Sequence, residues 1–199
     1  MAGKYNGGLT REQFLFYEIR VLAGLLNDGL SEEEAIQKII DENLFQFPTE
    51  RMLKSIAKTC MARIKALENE ALATGLATEP FAVAKQIDLY AIMRQNQIVW
   101  DFMVNVIGEK YRTQDLSYEK KDLNLFFMTL SEQVEEVASW SDSTIKKIKQ
   151  VLTKFLVECE YLDSARATQL NNIYLCPELE SGIRANGDTE AFAAFNFFG

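Results

Sequence analysis

SDSTIKKIKQVLTKFLVECEYL, Ser141–Leu162, is the stretch whose reading decides the fold. Ile145, Ile148, Val151, Leu152, Phe155, Leu156 and Cys159 recur at three- and four-residue spacing. At about 100° per residue that spacing gathers them on one face of a helix. Lys146, Lys147, Gln150, Thr153 and Lys154 look outward, and Lys149 lies on the margin. Ser141 or Asp142 caps the start, because either side chain can accept from the exposed first-turn amides. Between Ser141 and Leu156 there are four lysines, one acid and no arginine.

The neighbouring segments suggest what this helix belongs to. Lys120 to about Gln133 reads as a helix carrying Leu123, Phe126, Phe127 and Leu130 inward, and Val134–Ala138 as a short second helix. Downstream, Arg166–Leu170 and Ile173–Leu175 can pair as strands around Asn171-Asn172. Helix, short helix, long helix and hairpin form the order of a winged helix-turn-helix, a module that often touches nucleic acid. Pro177 then starts a helix to Ala185. Asp188 caps a last one, whose Phe192, Phe195 and Phe197 dock on the body.

The N-terminal half reads as helical too. Thr10 with Gln13, and Ser31 with Glu34, have the spacing of capping boxes. Gly29 ends the first helix, and Glu32, Glu33 and Glu34 sit where the dipole of the second favours negative charge. Thr49 caps a third helix to about Glu68, with Leu53, Ile56, Cys60, Ile64 and Leu67 on one face. Arg51, Lys54, Lys58 and Lys65 gather on another, which makes a second helix-turn-helix candidate. A charged outer face is also what any solvated helix presents. Asn69–Glu79 is small and polar, and a weak boundary is expected there, giving an N-terminal helical subdomain over 1–79. Residues 80–199 then form one packed unit of central buried helices and the winged-helix-like part.

Composition limits the chemistry. The chain has 199 residues, enough to bury a core. Histidine is absent, which removes Ser-His-Asp and Cys-His nucleophiles and most zinc sites. Neither GxGxxG nor GxxxxGK[ST] occurs, so no phosphate-cradling loop is present. Cys60, Cys159 and Cys176 form no CxxC pair and read as small hydrophobes. No secretory signal and no apolar run of about 18 residues is found, so a soluble cytoplasmic protein is expected. No catalytic site, cofactor or metal site is expected. Against nucleic-acid binding stands a formal net charge of −8, since dedicated nonspecific binders are usually basic. Screening beyond roughly 10 Å at ~0.1 M salt leaves room for local patches.

Several long blocks carry a family resemblance: KQIDLYAIMRQN (Lys85–Asn96), VWDFMVNVIGEKYRTQDLSYEKKDLNLFF (Val99–Phe127), ASWSDSTIKKIKQVLTKFLVE (Ala138–Glu158) and IYLCPELESGI (Ile173–Ile183). LTREQFLFYEIRVLA and DENLFQFPTERMLKSIAK extend it into the N-terminal half. The sequence resembles the BrxA family, the small helical component of bacterial BREX phage-exclusion systems. The resemblance implies a partly NusB-like fold, DNA binding, and other BREX components as partners. It carries over no active-site motif.

The expectation is therefore a mainly α protein that binds DNA or RNA without catalysis. The binding residues come from the helical wheels: Arg51, Lys54, Lys58 and Lys65 on one helix, and Lys146, Lys147, Lys149, Gln150 and Lys154 on the other. On the second of these helices, lysines without arginine predict phosphate contact more than base reading. The rival expectation is an adaptor that assembles other defence components without touching DNA, using the aromatic Phe192–Phe198 tail.

Overall fold

The structure, a computed structural model, describes Tyr5, residues 7–11 and residues 14–198. After a 3₁₀ turn at Gly7–Arg11 come α1 (Phe16–Asn27), α2 (Glu32–Asp41), α3 (Glu50–Ala66), α4 (Glu70–Thr78) and α5 (Phe81–Gln95). Next are α6 (Gln97–Asp101), a π-helical segment (Phe102–Ile107), α7 (Gly108–Arg112), α8 (Lys120–Gln133), α9 (Glu135–Ala138) and α10 (Asp142–Glu158). The chain ends with α11 (Pro177–Asn186) and a 3₁₀ helix at Thr189–Phe195. Two compact units result. One is Leu15–Gln95 with Cys176–Gly187; the other is Asn96–Leu175 with the described residues before Leu15 and after Gly187.

In the first unit α1 packs on α3 and α4, α3 on α5, and α11 on α4 and α5. The Ser31 box forms: the Glu34 amide donates to Ser31 Oγ at 3.3 Å, and the Ser31 amide to Glu34 Oε2 at 2.8 Å. Thr49 caps α3 by accepting from the Met52 amide at 3.3 Å. The first expected box does not start α1. Thr10 lies in the 3₁₀ turn, where its hydroxyl donates to the Gly7 carbonyl, and Gln13 lies outside the described residues. Leu15, with φ at +55°, separates that turn from α1. Phe14, on the near side of the break, packs its ring 6.1 Å from Phe155 in the second unit's own core.

Asn69–Glu79, expected as a boundary, is a helix inside the first unit. Asn69 caps α4 through the Leu72 amide at 3.1 Å, and Leu72, Gly75 and Leu76 are buried. Small residues there serve close packing, not a linker. A Cβ on Gly75 would sit 2.9 Å from Ile87, and one on Gly182 would sit 2.5 Å from Leu72. Arg20 stitches the far end of α4: its guanidinium donates to the carbonyls of Glu79 at 2.8 Å and Ala77 at 3.0 Å. That satisfies helix-end carbonyls that would otherwise lack partners. The same guanidinium lies 4.9 Å over the Phe81 ring. Inside the unit, Arg63 and Asp88 form a fully buried ion pair at 3.7 Å.

In the second unit Asn96 caps α6 through the Ile98 amide at 3.0 Å. α6, the π segment and α7 run on with helical backbone at both junctions, so the chain stays helical to Arg112. The buried stem of Lys110 in α7 ends in an ammonium 3.2 Å from Asp122 and 3.8 Å from Asp115. The C-terminal 3₁₀ helix packs on the π segment and α7. Its Phe195 is fully buried, and the Tyr161 hydroxyl donates to the Ala194 carbonyl at 2.9 Å. Cys60 and Cys159 are buried and in no disulfide, as their apolar positions imply, and Cys176 is half-buried.

The expected hairpin does not form. Among the described residues the β-type pairing is an antiparallel bridge between Ser117 and Gln169. The Leu170 amide donates to the Leu116 carbonyl at 2.8 Å, and the Tyr118 amide to the Thr168 carbonyl at 2.9 Å. The edge that would have met Ile173–Leu175 is thus taken by Leu116–Tyr118. Asn171 is no turn tip either: its side chain donates to Glu160 O and Asp163 Oδ1, both at 2.9 Å. The helix, short helix, long helix order exists in α8, α9 and α10, but the winged-helix reading loses its wing.

Candidate nucleic-acid interface

α10 forms where its capping and apolar spacing place it. Ser141 Oγ accepts from the Thr144 amide at 3.3 Å. Ile148, Val151, Leu152, Phe155 and Leu156 are buried, which fixes the helix's rotation about its own axis. Lys146, Lys147, Gln150 and Lys154 therefore stand exposed together on the outer face. None of the three lysines pairs with an acid among the described residues. The two acids of α10, Asp142 and Glu158, sit at its ends.

Lys149 belongs elsewhere. Its ammonium donates to Asn124 Oδ1 on α8 at 2.8 Å and lies 5.4 Å from the Phe127 ring centre. Partial burial pushes its pKa below the usual lysine value. It ties α10 to α8 and adds little charge to the outer face. The wheel put it on the margin, but nothing local could reveal Asn124, which is 25 residues upstream.

The α3 face is weaker than its sequence suggests. Arg51, Lys54, Lys58 and Lys65 are all exposed. However, Lys54 pairs with Glu50 at 2.5 Å, one turn earlier, and Lys65 pairs with Glu32 of α2 at 2.7 Å. Exposed pairs of this kind contribute little stability, but each cancels a charge a phosphate would need. Arg51 and Lys58 remain uncompensated among the described residues. Glu50 at the i−4 position was legible; Glu32, on another helix, was not. The α3 and α10 faces belong to different units.

Comparison with known proteins places this helical chain. The BrxA family model matches residues 3–187. The chain belongs to the BrxA family. It is similar to a BREX protein BrxA of Bacillus cereus (strain H3081.97), with 34% identity over 185 residues and 92% of each chain covered. A BREX protein BrxA of Escherichia coli O9:H4 (strain HS) is 27% identical, covering 92% of this chain and 86% of its own. In fold it is similar to an uncharacterized protein from Magnetospirillum magneticum known from a crystal structure. That match has a TM-score of 0.80 at 20% identity, over 96% of this chain and 97% of the other. No helix among the described residues is long and apolar enough to cross a membrane.

Proposed function

We propose that this BrxA-family chain is a non-catalytic DNA-binding accessory protein of a BREX phage-defence system. It contacts the phosphate backbone through basic helix faces and has little sequence preference. The carrying observation is the outer face of α10, where Lys146, Lys147 and Lys154 stand exposed without acidic partners beside Gln150. Ammonium groups so placed can neutralise phosphates and release counterions, which makes binding strongly salt-dependent. α10 carries no arginine, the side chain that most often reads guanine, so phosphate contact dominates and affinity changes little with sequence. The relatives' names, BREX protein BrxA, support the setting in phage defence.

The test is a mobility-shift titration with several unrelated duplexes at low and physiological salt. Shifts at micromolar protein that weaken steeply with salt and rank the duplexes nearly equally are expected. Absence of any shift at low salt would overturn the reading, and an RNA duplex as a second arm tests nucleic-acid type.

The adaptor reading keeps one supporting observation. Leu125 and Met128, on the outer side of α8, are 60% and 56% exposed and offer an apolar pair to another BREX component. The aromatic tail supports it less, since Phe192 and Phe195 are buried and Phe197 packs on Phe192 at 5.1 Å. A pull-down against the other BREX components tests it.

A further inference from the structure

The second unit holds a cleft that the basic faces do not use. Tyr111, Arg112, Gln114, Leu116, Asn172, Asn196 and Phe198 line it, and its volume is about 740 Å³. Its walls are held from several parts of the chain. The Tyr111 hydroxyl donates to the Asn171 carbonyl at 2.6 Å, and the Leu116 carbonyl accepts from Leu170. Arg112 is occupied: Nε and Nη2 donate to both oxygens of Glu109, at 2.8 and 2.6 Å. The groups left are three carboxamides, Gln114, Asn172 and Asn196, whose side chains hydrogen-bond to no described residue. Phe198 stands beside them with half its surface exposed.

That inventory selects a ligand class. With its arginine neutralised, the cleft has no cation to offer a phosphate. Each carboxamide presents one acceptor and two donors, so the site matches a neutral edge of alternating donors and acceptors. An exposed aromatic ring supplies a stacking face. A flat, uncharged ring with such an edge is a nucleobase. Adenine fits best, because its adjacent amino group and ring nitrogen pair with a carboxamide in two bonds at once. A base inside a duplex is stacked and paired, so the ligand must be unpaired.

We propose that this cleft binds an unpaired nucleobase, adenine by preference, with Phe198 stacking on the ring and Gln114, Asn172 and Asn196 reading its edge. No residue of α10 lines this cleft, so binding here does not require duplex binding there.

Calorimetric titration of the full chain with adenosine and with a single-stranded oligo(dA) tests it. Two variants carry the readout: Phe198→Ala, at an exposed position, and Asn196→Gly, which suits the φ of +55° there and so keeps the fold. Adenosine or oligo(dA) binding that falls about tenfold in each variant supports the proposal. Adenosine binding as tightly as the oligomer makes a free nucleoside the source, whereas binding of the oligomer alone makes it a base within a strand. Lys146→Glu/Lys147→Glu/Lys154→Glu should leave adenosine binding intact, which separates failure of this site from failure of the α10 face. Absence of binding by both probes, or binding that both cleft variants leave unchanged, overturns the proposal.

Discussion

Asp88 is buried without hydrogen bonds to its carboxylate oxygens, 3.7 Å from Arg63. Burial pushes its carboxyl up to about 7, against the pull of Arg63 and with a small push from Glu18. An acid with a raised folded pKa holds its proton in the folded state over a range where the unfolded chain has lost it. Its contribution to stability is therefore complete below about pH 4 and is lost as pH rises through about 7. Asp88→Asn cannot ionise, so its melting temperature relative to wild type should improve between pH 5 and pH 8. Parallel pH profiles for the two proteins would contradict the assignment. Gly108 makes a second prediction at this scale. A Cβ there would lie 2.7 Å from Ala193 Cβ and 3.0 Å from its carbonyl carbon. Backbone cannot step aside cheaply, so Gly108→Ala should cost about 1–3 kcal/mol in urea unfolding despite its better helix propensity. Neither partner of these residues was legible in the sequence. Arg63 lies among the basic residues of α3 yet is fully buried, and Asp88, which it faces at 3.7 Å, is 25 residues downstream.

Helices whose signals are local were read well. Ser31, Thr49 and Ser141 each meet an amide three residues on, and spacing alone shows that. Loss of the Ser141 cap in Ser141→Ala should lower stability by about 1 kcal/mol, measured by thermal denaturation, and an unchanged midpoint would contradict the cap's role. Other elements differ from their sequence reading for physical reasons. Asn69–Glu79 reads as a weak boundary because alanines, threonines and a glycine describe both a loose segment and a helix packed at close range. Arg166–Leu170 looks like half a hairpin because its β character is real; its backbone partner, Leu116–Tyr118, lies some fifty residues upstream, where local patterning says nothing of pairing. The wheels located the outer faces of α3 and α10, but the acids Glu50 and Glu32 decide which face keeps its charge.

For the whole molecule, the tension is a chain of net charge −8 that is proposed to hold a polyanion. A body of that sign slows approach at low salt, yet beyond about a Debye length it is screened, and contact is set by the local face. Under the proposed function α10 is that face, because its core side is fixed by packing and its lysines pair with no acid among the described residues. The measurement that tests this most directly is the salt dependence of duplex affinity for the wild type and for Lys146→Glu/Lys147→Glu/Lys154→Glu, followed by fluorescence anisotropy. Each phosphate contact removed should reduce the slope of log affinity against log salt by about 0.9, so the triple variant should bind far more weakly with a slope shallower by about 3. Wild-type affinity and slope in that variant would show that duplex DNA does not meet this face.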